Sequence, residues 1–392
     1  MTPRRTPLAL LLLLFCVAGG PAVRGDERST AARFEEARKD EPSLIAFLQG
    51  MPKGADLHNH AGGAEYAEFA LENAIAQGFF FDPATSTFVR ETAPGRVPAT
   101  KLLQDDKLLS QFLDAVSIRG LRPGTVSGHD HFFRTFGVLA SAREALRKDE
   151  MLAEIVGRAK SQNLQYLELM YTPAADALWR TSDGAPPVDD PEQALEVLKP
   201  KLEAYVRAAQ GEIDHQDLEL ARRLVLPPPV SSTQGPLTLR YIVSASRTRP
   251  DNEVFAVLAA GMTLMKADPR CVGVNLVSPE DHPNARMHFD RQMQLLDVLW
   301  KRFDHPNITL HAGELTLAIS PVEPMHSRIR RSIEVGHARR IGHAVSVAWE
   351  ENLPGLLREM REQGIAMELC LTSNDAILGV AGDRHPFNLY RR

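Results

Sequence analysis

The chain has 392 residues, 44% hydrophobic and 24% charged, with a formal net charge of −5. This composition excludes a disordered, collagen-like or disulfide-scaffold protein and offers no basic field for nucleic acid. Histidine outnumbers cysteine 13 to 3, so a metal site would draw on imidazoles and carboxylates rather than thiolates.

The first residues carry Arg4 and Arg5, then an apolar run over 8–18 and a small-residue stretch over 19–25. That order predicts a secretory signal peptide over 1–25 and a secreted or periplasmic destination. A spanning helix needs about 20 apolar residues, so no stable membrane anchor is expected. Cys16 follows the bulky Phe15, which argues against a lipoprotein cleavage site. Residues 26–50 read as an N-terminal helical segment. Beyond them, short apolar runs at 55–60, 164–171, 237–244, 271–277, 308–311, 340–343 and 365–370 alternate with longer segments of helical periodicity, such as 293–303 and 353–362. The alternation predicts parallel βαβ units. Several runs end in a chemically capable residue, as in a (β/α) barrel, where the active site lies at the carboxyl ends of the strands. A doubly wound sheet is the alternative, but no Gly-rich phosphate loop follows the first run. Pro83, Pro94, Gly95 and Pro98 break the rhythm over 79–99, which reads as an excursion from the first strand–helix junction. Residues 180–191 and 226–236 read as loops. Cys271 and Cys370 sit in apolar runs and read as buried thiols, their pairing open.

His58-Asn59-His60 ends the first run, and strand side chains alternate, so the two imidazoles face the same way and can share one metal ion. A second His-x-His, His129-Asp130-His131, is followed by Phe132, Phe133 and Phe136 at helical spacing. On a helix, positions i and i+2 point about 200° apart, so this pair is a poor chelate and reads as lining an apolar pocket with its phenylalanines. His311-Ala312-Gly313-Glu314 ends the fifth run, where a third imidazole can reach the same mouth and Glu314 can approach a substrate; a surface loop is the alternative. His343, in Arg340-Ile341-Gly342-His343, ends the sixth run and suits the holding or deprotonation of a water near the metal. Glu368, Thr372, Ser373 and Asn374 surround the seventh run and read as loop caps and turn bonds.

The ordered set Met51-Pro52-Lys53-Gly54-Ala55-Asp56-Leu57-His58-Asn59-His60, His311-Ala312-Gly313-Glu314, Arg340-Ile341-Gly342-His343, Ser373-Asn374 and His385-Pro386 resembles the adenosine deaminase family. The leader and the 79–99 excursion resemble its secreted, growth-factor-type branch. The resemblance implies a TIM-type (β/α)8 barrel that holds one Zn2+ and hydrolyses adenosine to inosine and ammonia. By the same resemblance His58, His60 and His311 match the zinc ligands, Glu314 the acid that protonates purine N1, and His343 the residue that orients and deprotonates the attacking water. Asn275 and Ser278 stand where the family has Asp and Gly, so Ser278 falls to substrate binding through its backbone N–H.

After His385-Pro386 the family continues into an eighth strand with two adjacent Asp residues, whereas this chain ends at Arg392. Asp375 and Asp383 lie in the wrong segments to replace that pair. The expectation is therefore a truncated form, with a barrel domain over 51–392 that has about seven of eight strands and lacks the last strand and helix. A secreted zinc-dependent adenosine deaminase is the first reading. A catalytically impaired barrel that binds nucleoside or a partner, and a related aminopurine deaminase or amidohydrolase, are the alternatives. A small purine nucleoside is the expected partner, nucleic acid is not, and homo-oligomerisation is open. A cytidine-deaminase-type zinc site is disfavoured, since no Cys-x-x-Cys occurs.

Overall fold

The computed structural model describes residues 26–119, 126–144, 148–225 and 237–391. The predicted leader over 1–25 and the predicted loop over 226–236 lie outside the described residues. Two units divide between Met51 and Pro52. In the first, helices Glu27–Ala37 and Glu41–Gly50 each start at an Asp that caps them. Asp26 accepts from Ser29 N at 2.6 Å and Asp40 from Ser43 N at 2.9 Å, each satisfying an amide that the helix itself leaves free. Phe34 and Phe47, one from each helix, bring their ring centroids to 5.5 Å.

The second unit is built on seven parallel strands, one on each predicted apolar run: β1 (Gly54–His60), β2 (Leu164–Met170), β3 (Thr238–Ser246), β4 (Cys271–Val277), β5 (Thr309–Ala312), β6 (Arg340–His343) and β7 (Ala366–Glu368). Their spatial order follows the sequence. One sheet runs from β1 to β4, another from β5 to β7, and a parallel bridge between Val274 and Ile308 joins them. This is a TIM-like (β/α) barrel.

Strand alternation sorts the residues by face. Leu167, Leu169, Leu239, Tyr241, Val243, Val274, Leu276, Leu310 and Ile341 enter the apolar clusters shared with helices Pro191–Leu224, Asp251–Ala267 and Phe289–Arg302. Each such buried aliphatic side chain contributes about 1.5–3 kcal/mol relative to exposure. The opposite positions, among them His58, His60, Glu168, Asn275, Thr309, His311, Arg340 and Glu368, bond to one another across the interior.

The segment predicted as 293–303 starts earlier, at Phe289, and its apolar stripe buries Met293, Leu295, Leu296 and Leu299. Helix Leu353–Gln363 ends at Gly364, whose φ of 66° supplies the left-handed cap. The predicted 180–191 loop narrows to 183–190, between helices Ala175–Ser182 and Pro191–Leu224. The 79–99 excursion folds into a small antiparallel sheet with Phe80–Asp82 between Thr87–Val89 and Val97–Pro98. Phe81 and Phe88 pack there on Phe112, at 6.2 and 4.9 Å between centroids.

Candidate active site

Four imidazoles meet at the carboxyl ends of β1, β5 and β6. The ring of His58 lies 5.3 Å from that of His60, 4.6 Å from His311 and 4.8 Å from His343, centroid to centroid. Such close approach to β6 is possible because residue 342 is glycine: a Cβ there would come to 2.7 Å from His58 Cε1. One ligand atom from each of His58, His60 and His311 fits within a mutual span of 4.8 Å, and Nε2 of His60 is 3.0 Å from Nε2 of His311. Two nitrogens on one tetrahedral zinc stand about 3.3 Å apart, so the triad matches that ion with small adjustments.

The second bonds of these rings set which nitrogen is free. His58 Nδ1 lies 2.7 Å from Glu368 Oε2, so it carries the proton and leaves Nε2 with its lone pair. That Nε2 is buried and has no hydrogen-bond partner among the described residues. Asn275 Oδ1 accepts from the backbone N–H of His311 at 3.2 Å and from His311 Nδ1 at 3.1 Å, which likewise frees Nε2. Burial, then the nearby His58, lowers the pKa of His60 to about 3 and those of His311 and His343 well below the ordinary histidine range. Imidazoles held at one nitrogen by a carboxylate or an amide, with the other nitrogen turned to a shared centre, are what a zinc site takes as ligands.

Glu368 is thus not a loop cap, as the sequence suggested, but the acceptor that orients His58. It also accepts from Thr309 Oγ1 at 3.0 Å and pairs with Arg340, which continues to Glu168. Burial opposes its ionisation, but the His58 hydrogen bond and the Arg340 charge hold its carboxyl below the usual range.

Glu314 follows a left-handed turn at Gly313, φ 75°, where a Cβ would stand 2.9 Å from both Ile329 and Ser346 side-chain atoms. Buried Glu280 clamps this turn, accepting from Gly313 N at 3.1 Å and Glu314 N at 2.8 Å. Two buried guanidiniums face Glu280: Arg247 Nη1 at 3.8 Å and Arg328 Nε at 3.4 Å. Arg247 also donates to the carbonyls of Leu276 and His311, at 2.7 and 2.8 Å, tying the ends of β4 and β5 together. Burial, and then the charge of Glu280, push the Glu314 carboxyl up to about 7. Its acid form is therefore substantially populated at neutral pH.

His343 and Ala344 both adopt left-handed backbones, φ 67° and 49°, and such strain in non-glycine residues gathers at functional sites. A directed chain holds the ring. Phe387 N donates to His385 Nδ1 at 3.1 Å, His385 Nε2 donates to Asn374 Oδ1 at 3.1 Å, and Asn374 Nδ2 donates to His343 Nδ1 at 2.9 Å. Because the first donor is a backbone N–H, the direction is fixed along the chain and His343 Nδ1 is left as an acceptor. The same atom lies 3.4 Å from Glu314 Oε1. Asn374, read from sequence as a turn residue, is accordingly part of this support.

Ser278 follows β4 with φ 81°, a glycine-like backbone, and its Oγ is 2.8 Å from Ser246 Oγ. The second His-x-His does not converge. His129 Nε2 meets Asp281 at 3.0 Å with its ring edge-on to Phe133 at 4.8 Å, while His131 Nε2 donates to the Ser117 carbonyl at 3.0 Å. Both Cys271 and Cys370 are free thiols, but Cys370 is only partly buried, against expectation, because it lines a cavity. That cavity, about 510 Å³, opens beside β1 and β7 and is also lined by Asp56, His58, Arg340, Glu368 and Ser373.

The description of the adenosine deaminase family matches residues 126–392. Among solved structures, the chain is similar to an adenine deaminase from Arthrobacter aurescens at 17% identity and a TM-score of 0.51, with 87% of this chain and 79% of that one covered. It is similar to the same degree, 17% and 0.51, to ADAL from arabidopsis complexed with GMP, over 88% of this chain and 79% of that one. Likeness at this identity speaks to the barrel fold alone. No curated protein matches the chain.

Proposed function

Because the chain belongs to the adenosine deaminase family, we propose that it is a zinc-dependent deaminase that hydrolyses adenosine to inosine and ammonia. The observation that carries this reading is the convergence of three imidazoles, His58, His60 and His311, beside a carboxyl whose pKa is raised to about 7. His58, His60 and His311 would hold the ion. A bound zinc supplies Lewis acidity, lowering the pKa of water from 15.7 toward about 7.

The chain's own groups account for the proton traffic. His343 is oriented by the Asn374 hydrogen bond to Nδ1; on this reading that bond opens as Nδ1 takes the proton of the attacking water. Attack at C6 breaks the aromaticity of the purine, so N1 must gain a proton in the same step, and protonated Glu314 supplies it. The 3.4 Å from His343 Nδ1 to Glu314 Oε1 lets the two exchange that proton and return Glu314 to its acid form. The second proton of the attacking water passes from its oxygen to the amino group, which departs from C6 as ammonia and leaves inosine. Ser278 keeps the backbone path of a glycine, which supports its N–H as a purine contact.

The same reading includes export directed by the 1–25 leader, tested by sequencing the N-terminus of protein recovered outside the cytoplasm. The activity is tested with the zinc-loaded chain and a panel of adenosine, AMP and adenine. Inosine formed fastest from adenosine supports the reading. Preference for another aminopurine replaces the substrate, and no deamination of any of them overturns the assignment.

A further inference from the structure

We propose that His58, His343 and Cys370 form a second metal station, one that takes a thiophilic divalent ion such as Cd2+. One ligand atom from each of the three lies within a mutual span of 4.8 Å. The rings of His58 and His343 stand edge to face at 4.8 Å, and Cys370 lies two residues beyond the end of β7. His58 is the pivot: it belongs both to this set and to the all-nitrogen set with His60 and His311, and its Nε2 is buried without a hydrogen-bond partner among the described residues. An ion has a way in, because His58 and Cys370 both line the cavity of about 510 Å³ beside β1 and β7.

Two nitrogens and a sulfur select differently from three nitrogens. Thiolate favours soft and borderline ions and disfavours Mg2+ and Ca2+. On a tetrahedral ion with the usual bond lengths, the ligand atoms stand about 3.3–3.6 Å apart, so the three side chains close by up to about 1.5 Å, within the reach of χ rotation. Binding forms a sulfur–metal bond and releases the thiol proton to solvent through the cavity; nothing is oxidised. Since His58 cannot serve two ions through one nitrogen, occupation of one station empties the other. On the functional reading above, an ion on this second station also engages His343 and stops turnover.

The test uses the full chain stripped of metal and titrated with Cd2+, read by the ultraviolet thiolate-to-cadmium charge-transfer band and by cadmium NMR. The expected result is a band that is lost in Cys370→Ser and in His343→Ala. It is retained in Cys16→Ser, which changes a cysteine of the leader, and in His60→Ala, which removes a ligand of the all-nitrogen set only. No band in the unaltered protein, or a band that survives Cys370→Ser, overturns the proposal. If Cys370→Ser does not fold, the cadmium shift of the unaltered chain decides, and a shift for nitrogen and oxygen ligands alone overturns it. A chain that deaminates nothing yet gives the Cys370-dependent band supports this station while sinking the functional reading.

Discussion

The chain contains the tripeptide pattern His-x-His twice, and the two copies end in different chemistry. In β1 the period of two puts His58 and His60 on one face, where His311 joins them. In helix Gly128–Glu144 the same spacing turns His129 toward Asp281 and His131 toward the Ser117 carbonyl. Protonation separates them as well. Burial without a carboxylate at its own ring keeps His60 neutral, with a pKa of about 3, whereas the hydrogen bond to Asp281 raises that of His129 against the cost of burial. A motif therefore becomes a ligand set through the backbone that carries it and through the charge its second nitrogen meets.

The strongest way to break the comparison is to remove one member of the convergent set. His311→Ala is expected to lose zinc and essentially all turnover, because a water left near pKa 15.7 instead of about 7 is almost wholly un-ionised at neutral pH. Metal analysis and initial rates check this, and retention of stoichiometric zinc would count against the ligand role. Glu314→Gln comes next. It should keep its zinc and lose about 10²- to 10⁴-fold in turnover, the usual size of a general acid's contribution. With a carboxyl pKa of about 7, the working form of Glu314 is the protonated one, so the rate should fall as pH rises past about 7. A pH–rate profile of Glu314→Gln should lack that alkaline limb.

Glu368→Gln sharpens the comparison more finely, since it alters the partner of His58 Nδ1 and leaves the three imidazoles in place. Loss of an outer partner of this kind costs about 10- to 100-fold in metal affinity. A competition titration against a chelator reads the change, and an unaltered affinity would leave Glu368 with a purely structural part in the Arg340 and Glu168 network.

The seven strands were legible because each is a short apolar run, and the imidazoles were legible because they close such runs: His60 ends β1, His343 ends β6 and His311 lies next to last in β5. What supports them was not. Glu368 bonds to His58 across 310 positions of sequence, and Asn275 to His311 across 36. Nothing local distinguishes Glu368 from any polar residue that ends a strand, and its role appears only when barrel closure brings β7 beside β1. Glu280 is hidden in the same way, since its partners are two backbone amides and two arginines from distant parts of the chain. The 79–99 excursion showed its prolines but not its pairing, because three-residue strands carry too little periodicity to read.

The mildest perturbation falls on the copy that does not converge. His129→Ala should leave zinc content unchanged; a fall in bound zinc would erase the contrast between the two patterns. Its cost should appear in stability, about 1 kcal/mol for a half-buried ion pair. The sign follows from the raised pKa of His129, which its hydrogen bond to Asp281 produces against burial. Protons bind the folded state more tightly than the unfolded one, so the pair's contribution is complete below the unfolded value near 6.5 and is lost as pH rises through the folded value. At the acid end the depressed pKa of Asp281 limits it: burial works against the carboxylate, His129 holds it ionised, and the contribution fades as pH falls below about 4. Denaturant titrations of both proteins should therefore differ most between about pH 5 and 6 and converge as pH rises through the folded value, while His60→Ala should show the opposite trend, because the lowered pKa of His60 costs the unaltered protein stability as pH falls below about 6.5.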